Sequence, residues 1–298
     1  MENFISEEHL PFALKEYSQN GNIIFVSQNY DFLEKLAYNL KFLESNVVGL
    51  FPKFAFFTNH QGFDNAEFLK NYILSFESQA KITLIHSSLI FMPLPEPDSF
   101  LRINIAKGQK QSITEIAKSL VSMGYSSTAT VNNEGEFAIR GYILDIATTN
   151  EAFRVEFIGN TIEQIKILDC ETQRSINNID KIDIFPNKLI GNFELPLFKA
   201  RYMMKFQESN EELFHAMEFH PESCDINKYV KLICKNTINI MEILSGSIFL
   251  HNFTAESLNN SILKEFEMFK NNTTLNENVF YYSNILDFLK NAKTIACV

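Results

Sequence analysis

The stretch AFRVEFIGNTIEQIKILD (152–169) decides how the middle of the chain folds. Phe153, Val155 and Phe157 alternate with Arg154 and Glu156, a period of two that gives a strand one buried and one wet face. Gly159-Asn160 supplies the two residues a tight hairpin turn demands, and TIEQIKILD (161–169) returns as the partner strand. Upstream, FLRINI (100–105) reads as a strand. SITEIAKSLVSMGY (112–125) reads as a helix, with Ser112 as its cap, Glu115 completing a capping box and Gly124 near its end.

Further out the pattern changes. Pro93, Pro95 and Pro97 hold the chain extended, stop regular structure and mark a domain boundary. Before them, NIIFVS (22–27), VVGLF (47–51) and KITLIHS (81–87) are short β-branched runs. They are separated by helical periodicity at 30–43, which places Phe32, Leu33, Leu36, Leu40 and Leu43 on one stripe, and at 64–78, where Asp64 is the candidate cap. This β-α-β-α-β order predicts an α/β unit. Beyond Ile176, helices are expected near 209–217 and 256–269, and strands at 247–251, 278–282 and 294–298. The predicted fold class is therefore α/β, with a β-rich (α+β) module inserted between residues 1–97 and a return segment, 176–298, that completes the first unit. The module itself is assigned residues 98–175.

With 46% hydrophobic and 21% charged residues, the 298-residue chain can build folded cores, and no run is long and apolar enough to span a bilayer. The acidic start MENFISEEHL lacks the basic and apolar regions of a secretory signal, so a cytoplasmic location and no membrane partner are expected. Cys170, Cys224, Cys234 and Cys297 are scattered as reduced packing thiols are, the last residues to suggest a disulfide framework. A net charge of −10 repels phosphate, so DNA contact is expected to be weak or absent. Arg102, Lys107, Lys110 and Lys118, set against Glu115, read as a solvated face.

No glycine sits in a phosphate-cradling G-x-x-x-x-G-K-[ST] frame, in a G-x-G-x-x-G turn or in a G-x-S-x-G elbow. Lys107-Gly108-Gln109-Lys110 imitates the first but lacks its leading glycine and terminal hydroxyl. His215, His220, Cys224 and Cys234 are chemically suited to zinc, but their spacing lacks the close pairs that pre-organise a tetrahedral site. They read as surface histidines and as cysteines buried in helices. Glu7-Glu8 and Glu211-Glu212 fit helix starts better than a catalytic dyad. The expectation is a chain with no catalytic residues, no cofactor and no metal.

GEFAIRG-ILDI (135–146), RVEF-G (154–159), IEQI (162–165) and ETQRS (171–175) occur in this order, and together they resemble the module shared by bacterial transcription-repair coupling factors and UvrB. LKFLESNVVGLFP (40–52) looks like the coupling factor's amino-terminal α/β unit. The resemblance implies a UvrB-like fold and UvrA as partner, with other domains of a coupling factor as further partners. By position it implies that Arg140 and Arg154 are presented to UvrA, with Glu156 and Ile158 beside them. Ile158 stands where the family carries an aromatic, Asp145-Ile146-Ala147-Thr148 replaces DIFP, and Lys166 and Leu168 replace an arginine and a phenylalanine. The carboxyl-terminal NTINIMEI (236–243) replaces a glycine-rich segment.

UvrB's phosphate loop is missing, which resembles the coupling factor's degenerate first domain; that family's polymerase-binding domain and ATP-dependent motor lie further along than this chain extends. The competing expectation for the arginines is internal pairing, Arg154 with Glu163 or Arg140 with Asp145. Competing functions are a remnant helicase or ATPase lobe and a DNA-contacting structural domain.

Overall fold

A computed structural model describes residues 3–50, 66–77, 80–90, 93–149, 151–191, 193–220, 224, 226–240, 248–252 and 293–297. The chain divides into two compact units. One comprises Met1–Gly62, Asn71–Pro97 and Leu195–Val298, and the other Phe63–Lys70 and Asp98–Glu194.

The first unit carries strands β1 (Asn3–Ile5), β2 (Ile23–Ser27), β3 (Val47–Leu50) and β4 (Ile82–His86), with α1 (Leu10–Tyr17) and α2 (Tyr30–Phe42) between them. Helix α3 (Ala66–Glu77) precedes β4. The expected cap Asp64 lies outside the described residues. Helix α2 starts where Asn29 Oδ1 accepts the Phe32 N–H at 3.0 Å, which satisfies one of the amides that a helix start leaves open. Its buried residues Leu33, Leu36, Ala37 and Leu40 join Leu10 and Leu14 of α1 over Ile23, Phe25, Ile82 and Leu84. Each fully buried leucine there contributes roughly 1.5–3 kcal/mol.

The chain returns to this sheet after the middle of the sequence, in β15 (Ile248–His251) and β16 (Lys293–Cys297). The six strands run parallel in the order β1-β16-β15-β2-β4-β3. The β-rich module is thus an insertion into an α/β unit. The readings at 256–269 and 278–282 lie outside the described residues.

Pro93–Pro95, expected to stop regular structure, forms a short strand (β5) that pairs antiparallel with β14 (Thr237–Asn239). A two-stranded ladder tolerates prolines because each strand has a free edge. Helices α5 (Leu195–Phe206), α6 (Glu211–Phe219) and α7 (Val230–Ile233) complete this part. Phe198, Tyr202, Phe214 and Tyr229 pack edge to face or tilted, with centroids 5.4–6.3 Å apart. No helix among the described residues is long and apolar enough to cross a membrane.

In the second unit β6 (Ile103–Ala106) precedes α4 (Ile113–Ser122), β7 (Ser126–Ser127), β8 (Glu136–Arg140), β9 (Ile143–Ala147), β10 (Ala152–Ile158), β11 (Thr161–Asp169), β12 (Arg174–Ile179) and β13 (Lys181–Ile184). Ser112 caps α4 by accepting the Thr114 N–H at 3.2 Å. The sheet order is β12-β11-β10-β9-β8-β7, antiparallel except for the β7–β8 pair. Ile116 and Leu120 of α4 pack with Phe137, Leu144, Ile146, Phe153, Val155 and Phe157, the inner face of this sheet. The strand read at 100–105 begins only at Ile103, and it pairs with β13. That pairing and β12 carry the unit to Glu194, past the boundary read at 175. The polar RSINNI of β12 gives no alternation to mark it as a strand in sequence.

Candidate functional site

The opposite face of the second unit's sheet is the wet one. Along β10, Arg154, Glu156 and Ile158 lie on it, because the inward positions are Phe153, Val155 and Phe157. Strand pairing sets two rows across the sheet. One runs Ala138, Asp145, Arg154, Lys166, Asn178, and the other Arg140, Ile143, Glu156, Gln164. All four residues singled out for partner contact, Arg140, Arg154, Glu156 and Ile158, therefore belong to one face of one sheet.

Asp145 organises this face. Its carboxylate is fully buried and takes both arginines: Oδ1 accepts Arg154 Nε at 2.8 Å, and Oδ2 accepts Arg154 Nη2 at 2.9 Å. Arg140 Nη2 also donates to Oδ2. A buried charge of this kind is tolerable only when paired and hydrogen-bonded. The bidentate bond matches the planar fork of the guanidinium to the carboxylate, and this hydrogen bonding raises the Arg154 pKa above its already high value.

The two arginines are not equivalent. Arg154 is 15% exposed and spends a third donor on the Gln173 carbonyl at 3.4 Å. Arg140 is 43% exposed and commits one nitrogen to Asp145. It is the arginine with donors to offer. Glu156 is paired with Lys166 at 2.6 Å, so three cations, Arg140, Arg154 and Lys166, are paired here with the two carboxylates of Asp145 and Glu156.

Arg154 does not use Glu163. The register steps from Glu156↔Gln164 to Phe157↔Ile162, which leaves Glu163 as the extra residue of a bulge. The Arg140–Asp145 pairing does form, and it coexists with partial exposure of the arginine. The joint claim of both arginines on Asp145 was hidden in sequence. It follows from the Ala147↔Ala152 register, set by the connection after Ala147, where Thr148 N–H donates to the Glu151 carbonyl at 2.9 Å. No two-residue turn signal marks that connection.

Below this polar zone, Val131, Ala138, Ala147, Ala152 and Leu168 form a small second core on the same face, with Cys170 against it. The turn over it is tied down by Glu136, which accepts the Asn132 and Asn133 N–H groups at 2.8 and 3.0 Å. Desolvation pushes Glu136 up, but these bonds and the Asn133 amide outweigh it and hold its carboxyl below the ordinary value.

Elsewhere the other candidates stay apart. Among the described residues no three His, Cys, Asp or Glu side chains are grouped as metal ligands. His215 stacks on Phe219 at 4.6 Å. Cys224 and Cys234 are only partly buried and lie outside helices, in contrast to the helical burial read from sequence. Cys234 is the cap of α7, where Arg201 Nη1 reaches the carbonyls of Leu232, Ile233 and Cys234 at 3.0–3.2 Å. Burial pushes its thiol up to about 11. The connection from β2 to α2 is Gln28-Asn29, without glycine amides to receive a phosphate. Arg102, Lys107, Lys110 and Lys118 are exposed.

Comparison with known proteins matches residues 103–189, which lie within the β-rich unit, to the family described as the UvrB interaction domain. The chain is similar to transcription-repair coupling factors. It is 27% identical to that of Rickettsia conorii over 63% of this chain and 17% of the relative, and 23% identical to that of Rickettsia bellii over 86% and 24%. It is also 31% identical to the UvrABC system protein B of Thermotoga neapolitana, over 50% of this chain and 22% of that protein. The chain thus spans about a quarter or less of the length of these relatives. These matches support the resemblance to the amino-terminal region of a coupling factor.

Proposed function

We propose that the inserted unit docks UvrA through its wet sheet face, and that as part of a coupling factor it recruits nucleotide-excision repair to stalled RNA polymerase. The observation that carries this reading is Arg140, held by one nitrogen on a buried carboxylate and otherwise open to a partner, within a unit that matches the UvrB interaction domain. Arg140 makes the contact, Asp145 aims it, and Arg154 acts chiefly by neutralising Asp145. In this reading the chain works by binding and not by catalysis.

The test is binding of the purified chain to UvrA by calorimetry. Arg140→Glu should abolish binding while the circular dichroism spectrum stays unchanged, because truncating or reversing a charge at such an interface costs about 2–5 kcal/mol. Undiminished binding by the variant would overturn the reading. Micromolar ATP affinity would favour an ATPase lobe instead, and duplex binding with a steep salt dependence would favour a DNA-contacting domain.

A further inference from the structure

The end of the same sheet carries a second kind of chemistry. The β8–β9 and β10–β11 hairpins both turn there: Arg140 pairs with Ile143, the Phe157 N–H donates to the Tyr142 carbonyl at 2.9 Å, and Ile158 pairs with Thr161. Gly141 and Gly159, with φ of 63° and 61°, take the left-handed conformation these two-residue turns need. A third segment joins them. Lys110 bridges to Thr161, and the Gln111 N–H donates to the Asn160 carbonyl at 2.8 Å.

From one side of this end to the other stand Arg140, Tyr142, Ile158 and Lys110. Tyr142 is 69% exposed and Ile158 is 68% exposed. The hairpin requires Gly141, but nothing in its geometry requires a large ring at the next position. Two big apolar side chains flanked by two cations, in a chain of net charge −10, suit a partner with an apolar recess and an acidic rim. The patch is continuous with the docking face through Arg140 and Ile158.

We propose that Tyr142 is the aromatic anchor of the docking face, seating with Ile158 in an apolar recess of UvrA whose acidic rim meets Arg140 and Lys110. The inference rests on the UvrA-docking reading. A tyrosine combines large contact area with few rotatable bonds, which is why tyrosines dominate interface hot spots. Here it stands beside Ile158, the position at which the resemblance would place an aromatic.

Binding of the full chain to purified UvrA separates the outcomes. Tyr142→Ala should weaken binding about thirtyfold, and Tyr142→Phe should stay within about threefold of the original, because the ring and not the hydroxyl fills the recess. Ile158→Phe in the Tyr142→Ala background should restore part of the loss, and Lys110→Glu should weaken binding severalfold with a shallower salt dependence. If Tyr142→Ala binds as the original does while Arg140→Glu does not bind, the anchor is overturned and the docking face stands. If Arg140→Glu also binds normally, the docking reading itself falls. Self-association of the chain that is lost in Tyr142→Ala would overturn the inference by assigning the patch to a second copy of the chain.

Discussion

Strands β2 and β10 both run between two neighbours, yet β2 is buried at all five positions while β10 alternates buried and wet residues until Ile158 at its exposed end. The difference follows from connectivity. Parallel strands need crossover helices, and those helices take the faces of the sheet, so both sides become core. Antiparallel strands close by tight turns and can leave one face to water. In this molecule the parallel unit spends its side chains on packing, and the antiparallel insertion keeps a face on which charges can be arranged for a partner. Among the charged groups of the wet face Asp145 is the exception, as inaccessible as Phe25.

The largest effect expected is on the parallel side. Phe25→Ala removes a fully buried ring from the sheet and should cost about 3–5 kcal/mol in denaturant unfolding. A loss below about 1 kcal/mol would break the claim that this unit has no spare face.

Next comes the exception on the wet face. Arg154→Ala leaves the buried Asp145 carboxylate with only Arg140, and should cost about 3 kcal/mol, the lower end for an uncompensated buried charge. Arg140→Ala should cost under about 1 kcal/mol, because Arg154 keeps both carboxylate oxygens engaged. In a double-mutant cycle, Asp145→Ala should be less damaging in the Arg154→Ala background than alone. Equal losses for the two arginines would remove the distinction between a presented and a neutralising residue.

These two strands also show what sequence can and cannot carry. The alternation at 152–157 and the Gly159-Asn160 turn were readable because each is a local signal with a physical cause, and the structure places strand, turn and returning strand there. The β-α-β-α-β order was equally readable, since β2, α2 and β4 each state their own periodicity. What was not readable depends on pairing between distant residues. Glu163 looked like a partner for Arg154 until the bulge displaced it, and Asp145 looked like a partner for Arg140 alone. The exposed Tyr142 is legible as a residue but not as part of a surface, because it shares an end of the sheet with Ile158 only once two hairpins turn there.

The smallest effect concerns the boundary between the polar zone and the second small core. Glu136 secures the turn above Val131 by its bonds from Asn132 and Asn133, and these hold its folded-state pKa below that of an ordinary glutamate carboxyl. A carboxyl depressed on folding binds its proton more weakly in the native state than in the unfolded one. Its stabilisation is therefore fully present above the unfolded pKa and is lost as pH falls through the lower folded value. Glu136→Gln removes that contribution at every pH. Because the side chain stays partly exposed, the stability gap between the original and the variant should be under about 1 kcal/mol at pH 6, and it should close as pH falls below the folded value. Asp169, also held low by the Thr172 N–H, titrates in the same direction in both proteins and so cancels from the comparison. A gap that persists unchanged at pH 3 would mean that Glu136 secures the turn through its shape and its neutral hydrogen bonds, not through its charge.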